Sequence, residues 1–139
     1  MLTTIISVVQ FTVFLSGWIE GKEDAKKDNP EHAKSLLLRA IILMLLSSIF
    51  ITCIATYVNA YMFLSVFMMW ANVWIIYNSA LDASHNYNSN QPIDYVGKTA
   101  EWDKLMRRKK IGGKFFLFMK FVAMCISYGI LRVLIEKCI

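Results

Sequence analysis

LLLRAIILMLLSSIFITCIATYVNAYMFLSVFMMWANVWII, residues 36–76, is the stretch on which the fold turns. It is apolar almost throughout, interrupted chiefly by Arg39, Asn59 and Asn72. At 1.5 Å per residue it is too long for one membrane span and about right for two. The break is expected at Tyr57-Val58-Asn59-Ala60-Tyr61, whose two tyrosines suit a membrane–water interface. The pattern predicts one helix over 36–57 and a second over 61–80, joined as a hairpin.

Working outward, Leu2 to Ile19 is another apolar block, near the lower length for a spanning helix. A cleaved signal peptide would need a basic start and a small-x-small cleavage site. Residues 1–18 hold no Lys or Arg, and bulky Trp18 follows Ser16-Gly17. A retained helix over 2–19 is therefore expected. Residues 20–35 are polar, and Asn29-Pro30 reads as N-cap and first helical residue of the next helix, with Glu31 in its first turn. On the other side, residues 81–114 are polar and contain the turn-rich Asn86 to Pro92. Thr99 is placed to cap a short helix with Trp102, Leu105 and Met106 on one side and Glu101, Lys104, Arg107 and Arg108 on the other. A basic amphipathic helix of this kind suits the membrane surface. Gly112-Gly113 is expected to break it, before a fourth span over 115–135 in which Lys120 and Arg132 can snorkel. The expectation is an all-α membrane protein: four transmembrane helices, with a short amphipathic interfacial helix in the 3–4 loop.

The charge distribution gives an orientation. Of fifteen Lys and Arg, five lie in residues 20–39 and seven in 80–114, while the 2–3 turn has none. Cytoplasmic loops carry the excess of Lys and Arg, so both long connections are expected in the cytoplasm and both termini outside the cell membrane. The net charge of +5 is explained by those loops, and no aromatic-plus-basic surface for nucleic acid is visible. At 57% hydrophobic residues, the chain exceeds the usual 45–50% of soluble domains. Three cysteines, two of them inside apolar blocks, form neither a disulfide framework nor a zinc spacing.

Two polar stripes carry what chemistry the chain offers. Gln10, Gly17, Glu20 and Asp24 share one helix face if the first helix runs past the membrane edge, and Trp74, Asn78, Asp82 and His85 share another. Both grow more polar toward the cytoplasm, and Arg39 enters at the same depth. Glu20, Asp24, Asp82 and His85 are the residues that would hold a divalent metal, the alternative to a protein without cofactor. The plainer reading pairs Arg39 with Glu20, Asp82 or Asp103 to order the bundle. Gln10 and Asn72, the deepest uncharged polar groups, are expected to glue helices together. No HExxH, P-loop, GxGxxG or GxSxG motif is present.

The stretch Ile93-Asp94-Tyr95-Val96-Gly97-Lys98-Thr99-Ala100-Glu101-Trp102-Asp103 resembles an element of small, uncharacterised membrane proteins of bacteria and their phages. In those proteins a Tyr-Ile/Val-Gly-x-Thr-Ala-x-x-Asp element follows an Asp- and Asn-bearing helix end, here Asp82 and Asn86. Glu20-Gly21-x-x-Asp24-Ala25 is similar to their first-helix exit. The resemblance implies a four-helix membrane protein with no known activity or cofactor. It also implies one cytoplasmic cluster of Glu20, Asp24, Arg39, Asp82, Asn86, Tyr95, Thr99 and Asp103, in which Gly97 permits a turn, Thr99 caps, and Asp103 anchors the loop.

The function expected is a non-enzymatic accessory or interaction protein in the bilayer, associating with itself or with another membrane protein. A membrane-edge metal-binding protein or enzyme is the first alternative, and a holin-like pore former the second. Against the pore stands the weakly basic tail, where only Lys137 follows Arg132.

Overall fold

The computed structural model describes residues 2–26, 33–55, 59–95 and 101–137. Their regular structure consists of five helices: α1 (Leu2–Asp24), α2 (Ala33–Ile54), α3 (Ala60–Asn88), α4 (Glu101–Arg108) and α5 (Gly113–Glu136). The expected caps Asn29, Pro30 and Thr99, and the break residues Tyr57 and Val58, lie outside the described residues.

Asn59 starts α3. Its backbone is extended (φ −141°, ψ 176°), and its side-chain oxygen accepts from the Met62 amide at 3.0 Å. One orphan donor of the first turn is thereby satisfied. The helix then runs on to Asn88 rather than ending at residue 80. Its polar residues do not break it, because their groups bond within the turn or to a neighbour. The Asn78 amide donates to the Trp74 carbonyl at 2.9 Å, and that of Asn88 to the Ser84 carbonyl at 2.7 Å. Asn90, at φ 56°, ends the helix: its amide reaches the Tyr87 carbonyl, and the Gln91 amide the Asn86 carbonyl. That is a Schellman arrangement with asparagine, which tolerates the left-handed region, where glycine is commonest. α4 ends the same way at Lys110 (φ 55°), with Ile111 bonded back to Met106. The stop therefore precedes Gly112-Gly113, which instead open α5.

α3 is the axis of the molecule, and α1, α2 and α5 dock on it. Its buried residues Met62, Ser65, Met69, Asn72, Val73, Ile76, Tyr77, Ala80 and Ser84 recur at three- and four-residue steps, the spacing of a helix packed on its neighbours. α1 runs parallel to α3, with Gln10 level with Asn72, and Gly21 level with Leu81 and Ser84. α5 runs antiparallel, with Ser127 level with Asn72 and Lys120 level with Asp82. On α2, Ser48 accepts from the Trp70 indole at 2.6 Å, while Ser47 and Ser48 both donate to the Met44 carbonyl.

The four-span expectation is corrected. Among the described residues two helices, α3 and α5, are long and apolar enough to cross a membrane. At 1.5 Å per residue, the 24 residues of α5 reach about 36 Å, beyond a hydrocarbon core of about 30 Å. The apolar part of α2 is Leu38–Cys53, which reaches only about 24 Å. α1 interleaves Ser7, Gln10, Thr12, Ser16 and Gly17 with its apolar residues, then ends in charged Glu20, Lys22, Glu23 and Asp24. It runs to Asp24 rather than to residue 19, with Glu20 and Glu23 facing Arg39 of α2.

Many large apolar side chains lie on the outer surface. Phe11, Ile42, Leu46, Phe63, Phe67, Phe118 and Phe121 are exposed, whereas Glu20, Ser65, Asn72 and Ser84 are buried.

Candidate functional site

The polar residues singled out in the sequence gather where α1, α2, α3 and the following loop meet, but they are joined in pairs rather than as one cluster. Glu20, only 1% exposed, pairs with Arg39 of α2, whose guanidinium also stands 4.0 Å from Glu23. Asp24 is buried one turn further along α1. Asp82 on α3 pairs not with Arg39 but with Lys120 of α5. The Lys120 ammonium also lies 4.6 Å from the centre of the Phe116 ring. A cation held between a carboxylate and an aromatic face serves two attractions at once.

α1 reaches this region because two glycines let it approach α3 at backbone distance. A Cβ built on Gly17 would stand 2.5 Å from the Tyr77 carbonyl oxygen, and one on Gly21 2.3 Å from that of Leu81. Facing them are the small residues Ala80 and Ser84, and the Ser84 hydroxyl donates to the Trp18 carbonyl at 2.6 Å. This is the small-xxx-small packing of helices that associate by close backbone contact. Gly17-x-x-x-Gly21 and Ala80-x-x-x-Ser84 are both legible as spacings, and their significance emerges only when the helices are seen together. Further along the same interface, the Gln10 amide donates to Asn72 Oδ1 at 2.8 Å. Asn72 Nδ2 then donates to the Ser127 hydroxyl at 2.8 Å. One buried side chain thus joins α1, α3 and α5.

Asn86 organises the loop after α3. It is buried, and its Nδ2 donates to the carbonyls of Ile93 (3.1 Å) and Tyr95 (3.0 Å). Arg107 of α4 lies 5.5 Å from the centre of the Tyr95 ring. Gly113 receives the loop from the other side, where a Cβ would stand 1.7 Å from the Asp94 carbonyl oxygen. The loop is therefore tied to the ends of both α3 and α5. His85 is half-buried beside this region. Thr99 and the side chain of Asp103 lie outside the described residues.

Glu20, Asp24, Asp82 and His85 are not drawn together as ligands. Among the described residues no three His, Cys, Asp or Glu are placed to hold a metal ion. What the arrangement does chemically is neutralise charge across helix interfaces. Sequence reasoning missed Lys120 as the partner of Asp82, and Ser127 as the end of the Gln10–Asn72 chain. Both lie far along the chain from the residues they meet, and no local pattern names them. No protein-family model, curated protein or solved structure matches this chain.

Proposed function

We propose that this chain is a non-enzymatic accessory or interaction subunit of a membrane complex. In this reading it is held in the cell membrane by the hairpin of α3 and α5. The observation that supports it best is the inversion of polarity. Large apolar side chains such as Phe63, Phe67, Phe118 and Phe121 face outward, while Asn72, Ser84 and Glu20 are buried. A protein in water exposes apolar patches of a few hundred Å² at most, but lipid is a good solvent for such a surface. The paired charges Glu20–Arg39 and Asp82–Lys120 serve assembly in this reading rather than catalysis. Seven Lys and Arg between residues 80 and 114 support a reading with the α3–α5 connection in the cytoplasm and the start of α3 and the end of α5 outside.

The test is purification from carbonate-washed membranes in mild detergent, followed by light scattering and elemental analysis. The expected result is a protein mass above that of the 16.0 kDa chain, from self-association or a bound partner, with no stoichiometric metal. A monomer carrying one metal per chain would overturn the reading, as would dye leakage from proteoliposomes, the mark of a pore.

A further inference from the structure

We infer that the connection between α3 and α5 carries a binding surface for anionic phospholipid headgroups. The inference rests on the membrane reading above and deepens it by naming a ligand. Residues 104–114 contain Lys104, Arg107, Arg108, Lys109, Lys110 and Lys114 and no acidic residue, and all six cations are exposed. Clusters of four to eight Lys and Arg immediately beside a spanning helix attract anionic lipid, and α5 begins at Gly113, inside this cluster.

Two further observations select lipid over other polyanions. Apolar side chains project among the cations: Leu105 is 40% exposed, Phe115 56% and Ile93 56%. Nucleic acid would leave those groups in water, whereas the headgroup–acyl boundary buries them. The surface is also pre-organised. Asn86 holds the carbonyls of Ile93 and Tyr95, Arg107 lies over the Tyr95 ring, and Gly113 is pressed against Asp94. The cations are thus presented at the end of the α3–α5 hairpin, at the depth of headgroup phosphates, without the ordering cost a flexible basic tail would carry.

Full-length protein with Cys53, Cys125 and Cys138 replaced by serine and Leu105→Cys labelled with bimane, purified in neutral detergent, provides the assay. Phosphatidylglycerol micelles are titrated in, with phosphatidylcholine as the neutral control. The expected result is a blue shift of bimane emission with phosphatidylglycerol only, lost at roughly 0.5 M salt, where the Debye length is a few Å. Each cation near an anionic surface contributes about fivefold. The combined Arg107→Gln, Arg108→Gln, Lys109→Gln, Lys110→Gln variant should therefore need at least about tenfold more phosphatidylglycerol. Equal shifts with both lipids, a salt-insensitive shift, an unchanged midpoint in the variant, or a shift with an RNA oligonucleotide and none with lipid would overturn the inference. Failure of the membrane reading itself is seen separately, as release of the wild-type chain from membranes by carbonate.

Discussion

Gly21 meets Leu81 backbone to backbone: a Cβ on the glycine would stand 2.3 Å from the Leu81 carbonyl oxygen. Neither partner there is a movable side-chain tip, so Gly21→Ala must push α1 off α3 and lengthen the 2.6 Å bond from Ser84 to the Trp18 carbonyl. Overpacking of this kind costs about 1–3 kcal/mol. Gly129, on the open side of α5, has nothing within 4 Å of its would-be Cβ. There the same substitution should stabilise by about 0.5–1 kcal/mol, through helix propensity alone. Thermal unfolding in detergent should move the two variants in opposite directions. Equal shifts would mean that α1 does not rest on α3 as described.

Asn72 should be the most sensitive uncharged polar position. Asn72→Leu leaves the Gln10 amide and the Ser127 hydroxyl without the partner that joins α1 and α5 through α3. A buried polar group left unsatisfied costs about 1–3 kcal/mol; the Gln10 amide loses this partner, while the Ser127 hydroxyl keeps its bond to the Met124 carbonyl. Gln10→Leu removes only one end of the chain and should cost less. Unfolding midpoints that rank Gln10→Leu at or above Asn72→Leu would contradict the three-helix connection.

Arg39→Leu should lower folded yield sharply, because it strands Glu20, which is only 1% exposed. Stranding one partner of a fully buried pair costs roughly 3–5 kcal/mol, and the half-exposed Arg39 side chain brings the expectation below that range. Adding Glu20→Gln to Arg39→Leu should recover much of the loss, whereas Lys22→Leu on the exposed side of α1 should cost little. The check is fluorescence-detected size-exclusion yield from membranes. A double variant no better than Arg39→Leu alone would show that charge compensation is not what the pair provides.

How far these contacts could be read in advance differs by kind. Gln10 and Asn72 stand out in the sequence because each is a lone amide inside an apolar run, so a helix-joining role follows from the cost of leaving it unpaired. The two tyrosines place the α2–α3 break, and the N-cap role of Asn59 within it is seen only in the structure. The end of α3 was not legible. Asn78, Asp82 and His85 already fall on one helical face, but Asn88 reads as part of the turn-rich loop until its side-chain bond to Ser84 is seen. The span count failed because block length was read as crossing length. In α2 the apolar part proves shorter than the helix, and in α1 the polar residues packed on α3 dilute the apolar run. The proposed single cluster around Glu20, Asp82 and His85 separated into pairs because Lys120, 38 residues beyond Asp82, arrives from a helix whose register the sequence does not specify.

Tyr77→Phe should be neutral or stabilising. Tyr77 is buried, and its hydroxyl has no hydrogen-bond partner among the described residues. Removing a buried group that makes no bond removes a desolvation cost of about 1–3 kcal/mol and leaves the ring packing intact. A lower unfolding temperature for Tyr77→Phe would mean that the hydroxyl is bonded in the folded protein.

The most direct test concerns the hairpin itself. If α3 and α5 cross the membrane with their connection in the cytoplasm, the two ends of α3 lie on opposite sides. Single cysteines are placed at Ala60 and at Lys109 in a cysteine-free background and treated in intact cells with an impermeant thiol reagent. The account predicts labelling at residue 60, and labelling at residue 109 only after the membrane is permeabilised. Labelling of residue 109 in intact cells, or equal labelling at both positions, would contradict it.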